Sequence, residues 1–169
     1  MDIKNMSGIY LFCENKVLMM KRIKKDYNGE GKYFSIGGKF EKEELNNPKK
    51  CILRELEEET GIKENQIQDL KMKYLFIRNY NGMVVQNYFF FAELTYMPDL
   101  KQCKEGTFEW VPVEEIFDKP LPPSSKVCLE HYLKNGQYVQ DFFVAVGTNV
   151  DGYGEYTFTN LQPFEDLAR

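Results

Sequence analysis

The 169-residue chain, with 43% hydrophobic and 28% charged residues, has the make-up of one compact globular domain and excludes wholesale disorder. Its net charge of −4 argues against a chain whose main task is gripping a nucleic acid polymer. A small phosphate ligand remains compatible with that charge, because a divalent cation can supply the positive charge locally.

The cysteines Cys13, Cys51, Cys103 and Cys128 are dispersed without a CxxC pair, and His131 is the single histidine, so no zinc pattern exists. Scattered cysteines at apolar positions read as small core residues in a reducing compartment. No apolar signal core or bilayer-length run is present, and the expectation is a cytoplasmic protein without a membrane partner. The 13 Phe and 11 Tyr are read chiefly as core and sheet faces, with base stacking as a minority use.

In chain order, residues 8–13 and 16–20 read as two strands joined around Glu14-Asn15. A basic stretch at 21–32, with Lys21, Arg22, Lys24 and Lys25, reads as a solvated loop, phosphate contact being the alternative. It leads into Tyr33-Phe34-Ser35-Ile36-Gly37-Gly38. Asn47 is a good N-cap, Pro48 suits the first helical position and Gly61 can close the helix, which predicts a helix over 48–60. Residues 72–77 and 83–94 read as strands around the hairpin signal Asn81-Gly82, and 107–113 as a third. A short helical turn is expected at 113–117, and a second helix over 124–134, stopped by Asn135-Gly136. The tail, 138–146 and 156–159 around Asp151-Gly152-Tyr153-Gly154, reads as a strand pair. No repeat or linker divides the chain, so a single domain over 1–169 is expected, with 137–169 as a C-terminal strand extension.

The chemistry concentrates in 37–62. At about 100° per residue, Glu55, Glu58 and Glu59 share one arc of the first helix, beside an apolar face of Ile52, Leu53 and Leu56. Arg54 stands one turn before Glu58, where an i,i+4 pair can hold that carboxylate. Three carboxylates on one arc repel each other, and near a helix C-terminus the dipole disfavours them too. A hard divalent cation makes such a cluster tolerable, since magnesium takes carboxylate oxygens together with waters and phosphates. A solvated acidic face is the plainer reading of acidic runs in general. The Gly37-Gly38 turn just upstream favours the metal reading, because its backbone can approach a cation or a phosphate.

The order of residues resembles the Nudix box, G-x5-E-x7-R-E-U-x-E-E-x-G-U with U aliphatic. Gly38 and Glu44 occupy its first fixed positions, and Arg54, Glu55, Leu56, Glu58, Glu59, Gly61 and Ile62 occupy the rest of the box at 38–62. Nine residues rather than seven separate Glu44 from Arg54. Asn47-Pro48 keeps the family's helix start five residues ahead of Arg54, so the two extra residues fall near Leu45-Asn46 in the loop. The insertion puts in question whether Glu44 still reaches Arg54. The flanking strands and the 109–116 element also follow Nudix order.

The resemblance implies an α/β/α sandwich around a mixed sheet. It also implies a magnesium-dependent hydrolase, with manganese as a substitute, that cleaves a nucleoside diphosphate linked to a further group. By position, Glu58, Glu59 and Glu55 are implied metal ligands, with the carbonyl of Gly37 and, by likeness to the bacterial mutator-type triphosphatase around 104–110, Glu105. Glu55 is a metal ligand or general base, and Glu58 and Arg54 complete the catalytic set. Lys39 is implied to touch a phosphate. Tyr33 and Phe34, with Tyr10 and Phe76, are candidates to stack the base.

The layout of 122–143 resembles 8-oxo-dGTP diphosphatases, but Ser124, Ser125 and Phe34 stand where the mammalian-type enzyme reads its base with two aspartates and an asparagine. A nucleoside triphosphate, canonical or oxidised, ranks first as the small-molecule substrate. Dinucleoside polyphosphates, loosely suggested by Tyr80, and nucleotide sugars follow; a nucleotide-binding regulatory module is the reading outside catalysis. A homodimer stays open.

Overall fold

The computed structural model describes residues 2–23, 29–150 and 153–161, so Lys24, Lys25, Asp151 and Gly152 lie outside the described residues. Its strands are β1 (Ile3–Cys13), β2 (Lys16–Arg22), β3 (Tyr33–Phe34), β4 (Ile67–Tyr80), β5 (Met83–Leu94), β6 (Gly106–Pro112), β7 (Phe142–Val150) and β8 (Tyr153–Leu161). Helix α1 (Pro48–Thr60) lies between β3 and β4 in sequence, and α2 (Pro123–Lys134) between β6 and β7.

All strands join one mixed sheet in the order β3-β2-β1-β5-β4-β7-β8, with β6 on β2. The β1–β5 and β4–β7 pairs are parallel and the others antiparallel. A strand has two hydrogen-bonding sides. β6 runs along all of β2 from Lys16 to Arg22, so β1 (at Leu18, Val17 and Lys16) and β3 (at Met20 and Lys21) share the opposite side.

Both faces of the sheet are covered, which is why 7–11 of β1 are buried without a break and 8–13 reads as a continuous apolar run. Ile9 and Leu11 pack with Leu18, Phe90, and Ile52 and Leu56 of α1. Tyr10, between them, faces the other side with Tyr74, Phe76, Phe91 and Cys128 and Leu129 of α2. The expected α/β/α sandwich is the architecture observed.

The Asn81-Gly82 turn has positive φ at both residues, 51° and 79°, the conformation a two-residue hairpin requires. The second strand of the tail starts earlier than the sequence reading, and β7 starts later: 136–138 form a 3-10 turn, and β7 begins only at Phe142. β4 runs well beyond 72–77, through two register shifts at Gln68/Lys71 and Met72/Tyr74.

Candidate metal and diphosphate site

Helix α1 has the predicted ends. Asn47 Oδ1 accepts the Lys50 N–H (3.0 Å), and Pro48 opens the helix. Gly61, at φ 82°, donates its N–H to the Glu57 carbonyl (3.0 Å). The same carbonyl accepts Lys101 Nζ (3.0 Å), a cation at the negative end of the helix dipole.

Arg54 is the hub of the acidic face. Its Nε donates to Glu44 Oε1 (2.8 Å) and Nη2 to Glu44 Oε2 (2.9 Å), a two-pronged pair. Nη1 donates to Glu55 Oε1 (2.9 Å) and Glu58 Oε2 (3.1 Å), and Nη2 also reaches the Lys39 carbonyl (3.1 Å). The question raised by the insertion is therefore answered: Glu44 does reach Arg54. A 3-10 turn at Lys42–Glu44 and the turn residues Leu45-Asn46 absorb the extra length and fold Glu44 back beneath the helix. The Glu44 side chain is 1% exposed, and the guanidinium, helped by the Glu41 N–H, holds its carboxyl down at about 2.

The loop ahead of the helix is strung along β1. Ile36 and Ile9 exchange backbone hydrogen bonds, Ser7 N–H reaches the Gly38 carbonyl (2.9 Å) and Phe40 N–H the Asn5 carbonyl (3.2 Å). At Gly37, φ is 145° and a Cβ would run into the Ser7 carbonyl. At Gly38 a Cβ would overlap the Glu55 carboxylate. These two glycines let the backbone lie directly against the acidic helix face.

Glu59 accepts the Gly37 N–H at Oε2 (3.2 Å). Burial pushes its carboxyl up to about 7; the Gly37 N–H opposes this, while the charges of Glu55 and Glu105 add to it and Arg22 subtracts. Burial also raises Glu55, against the pull of Arg54. Glu105, just ahead of β6, is thus near enough for its charge to act on Glu59, and its carbonyl accepts the Ile23 N–H (3.0 Å).

Glu55, Glu58, Glu59, Gly37, Arg54 and Glu105 are therefore neighbours. Among the described residues, no three carboxylate, imidazole or thiol side chains converge as they would around an ion. Glu55 and Glu58 turn to Arg54, and Glu59 to the Gly37 N–H. The donor set nevertheless suits a hard cation: oxygen donors only, partly buried at Glu55, Glu59 and Glu105 and exposed at Glu58, mutually repelling, and beside a backbone without side chains at Gly37 and Gly38.

Lys39 is exposed and pairs with Met6 of β1. Phe34 is half-buried, with the Arg22 guanidinium over its ring at 5.8 Å. Tyr33 is a core residue instead, 5% exposed, its hydroxyl donated to Glu109 (2.6 Å) and its ring flanked by Lys21 and Lys119. Tyr10 and Phe76 are fully buried, so of the four stacking candidates Phe34 keeps a partly open face. Ser7 and Cys51, whose Oγ and Sγ lie 3.0 Å apart beneath the loop, brace it through side chains that no motif position marks.

The NUDIX domain model matches residues 5–132 of the chain. The chain belongs to the Nudix family. Membership places it among hydrolases that act on diphosphate bonds. The matched region ends within α2 and leaves β7 and β8 beyond it.

Solved Nudix structures share the fold. The MutT protein of Bacillus halodurans superposes with a TM-score of 0.67 at 20% identity, over 93% of this chain and 97% of its own. The NUDIX domain of Shewanella oneidensis NrtR, solved with ADP ribose, gives 0.65 at 15% identity, over 79% and 88%. An Ap4A hydrolase of C. elegans gives 0.59 at 13% identity, over 78% and 96%.

Proposed function

We propose that this Nudix protein hydrolyses a nucleoside triphosphate, canonical or oxidised, to the monophosphate and pyrophosphate, with magnesium as cofactor and manganese able to replace it. One observation carries the reading: the Gly38 backbone lies against the Glu55 carboxylate and the Gly37 N–H reaches Glu59, whose carboxyl also feels the charge of Glu105, so oxygen donors from three segments gather at one face of α1. Glu55, Glu58, Glu59, the Gly37 carbonyl and Glu105 would hold the cation. When bound, it would neutralise the diphosphate and acidify a water.

The chain's own groups do the rest. Arg54 fixes Glu55 and Glu58 from behind, so that neither has to be ordered at the moment of reaction. Glu55, half-buried with its carboxyl raised, suits a base that takes the proton of the attacking water. Lys39 meets a phosphate oxygen, and Phe34 offers its open face to the base; Tyr33 supports Phe34 from the core. The protein works in the cytoplasm on this reading.

The test is incubation with magnesium and individual nucleoside triphosphates, the products being resolved by ion-exchange chromatography. Monophosphate and pyrophosphate are expected in equal amounts. Bound nucleotide left intact with every triphosphate would reject the reading and favour a regulatory nucleotide-binding module.

A further inference from the structure

On the α2 face of the sheet, the apolar rows end in a row of cations. Lys4 of β1 and Arg78 of β4 are both register partners of Val85 of β5, so the three side chains share a face. With adjacent strands about 4.8 Å apart, the Lys4 and Arg78 backbones stand about 10 Å from each other across Val85. Met6, two residues along β1 and on the same face, is the bridge partner of Lys39, which brings the third cation to this corner.

None of the three pairs with a carboxylate among the described residues. The Arg78 guanidinium donates to Asn87 Oδ1 and lies beside the Tyr156 phenol, while its Nε is buried without a hydrogen-bond partner. Desolvation lowers Arg78, and desolvation with the charges of Lys39 and Arg78 lowers Lys4. Three mutually repelling cations around a partly desolvated corner destabilise the free protein unless an anion arrives. The cluster adjoins the Gly37-Gly38 loop, because Lys39 follows it directly.

We propose that Lys4, Lys39 and Arg78 form a polyanion cradle that takes the phosphates of the substrate beyond the scissile bond. The departing group is then itself a phosphate chain and not a neutral sugar. The position of the scissile bond rests on the hydrolase reading above; the cradle's affinity for phosphate chains does not. Lysine supplies point charges and arginine a planar fork, a combination suited to several phosphate oxygens at once.

The test is calorimetric titration of inorganic triphosphate into the full chain in EDTA, so that no cation engages the glutamates. Saturable binding is expected, weakened about tenfold by Lys4→Gln and by Arg78→Gln, and unchanged by Lys71→Gln on the same sheet. Lys4 sits on the partly exposed end of β1, so its variant decides the matter even where Arg78→Gln fails to fold. Equal affinity in wild type and Lys4→Gln, or no binding at all, would overturn the proposal. Cradle-dependent binding without nucleotide cleavage would uphold the cradle while rejecting the hydrolase reading. Cleavage of triphosphates with the same KM in wild type and Lys4→Gln would do the reverse.

Discussion

Glu44 and Glu59 sit at the two ends of the same acidic site and respond to pH in opposite senses. Glu44 ionises at about 2 in the folded protein against an ordinary value of 4.5, so its contribution to stability is complete above 4.5 and is lost as pH falls through 2. A shift of that size corresponds to ~3 kcal/mol. Glu59 ionises at about 7, so the metal-free fold is favoured by its protonated form, and stability drains away as pH rises from 4.5 through 7. Two variants separate these effects. Glu44→Gln should lower the urea-unfolding free energy at pH 7 by about 3 kcal/mol, because it leaves Arg54 half-buried without its best partner. Glu59→Gln keeps an oxygen for the Gly37 N–H but removes a crowded charge; its melting temperature in EDTA at pH 8 should match or exceed the wild type, while magnesium-supported turnover falls at least about a hundredfold. A lower melting temperature with turnover intact would show that Glu59 is a packing residue. The spacing of Glu55, Glu58 and Glu59 was legible because a helix has one period. The reach of Glu44 was not, since spacing alone does not say how a 3-10 turn folds a loop back.

At the level of elements, α1 is the part of the molecule that its own sequence specifies most fully. Asn47, Pro48 and Gly61 mark its ends by local chemistry, and the observed helix keeps those ends. Asn47→Ala should cost about 1 kcal/mol of stability, measured by thermal melting, with little change in KM. Gly38→Ala should act the other way. Its Cβ would displace the Glu55 carboxylate, so turnover should collapse with a stability change under about 1 kcal/mol, and preserved turnover would refute the close approach of Gly38 to Glu55. Elements with less local signal were harder to read. β3 has two residues and exists because β2 offers it an edge. The outer part of β4 carries Gln68, Asp69 and Lys71, which resemble a loop in sequence; β5 pairs with Gln68 and Lys71, while Asp69, at φ 51°, falls in the register shift between them. The parallel partners of β1 and β7 depend on long-range register that a local pattern does not carry.

At the scale of the whole molecule, the sheet separates two jobs. Its α1 face buries one core and carries the acidic helix, while its α2 face buries the other and ends in the basic corner of Lys4, Lys39 and Arg78. The Gly37-Gly38 loop touches Glu55 and Glu59 and runs directly into Lys39, so a polyphosphate laid across it would meet carboxylates able to hold a cation on one side and, on the other, cations that pair with no carboxylate among the described residues. The box foretold the acidic half. The basic half escaped the sequence reading because its residues come from three segments, Lys4, Lys39 and Arg78, that only the sheet register unites. The aromatic candidates divide for a related reason: Tyr10, Tyr33 and Phe76 look alike in sequence to Phe34, and burial alone assigns those three to the core.

Metal-dependent hydrolysis is tested by comparing wild type with Glu58→Gln across canonical and oxidised nucleoside triphosphates, dinucleoside polyphosphates, ADP-ribose and nucleotide sugars, with magnesium and with EDTA. Glu58 is largely exposed and, among the described residues, hydrogen-bonds Arg54 alone, so its replacement should leave the fold intact. A metal-assisted hydrolase requires magnesium-dependent release of monophosphate and pyrophosphate from a triphosphate, reduced at least about a hundredfold in the variant. Equal turnover by the folded variant, or cleavage that persists in EDTA, would contradict it.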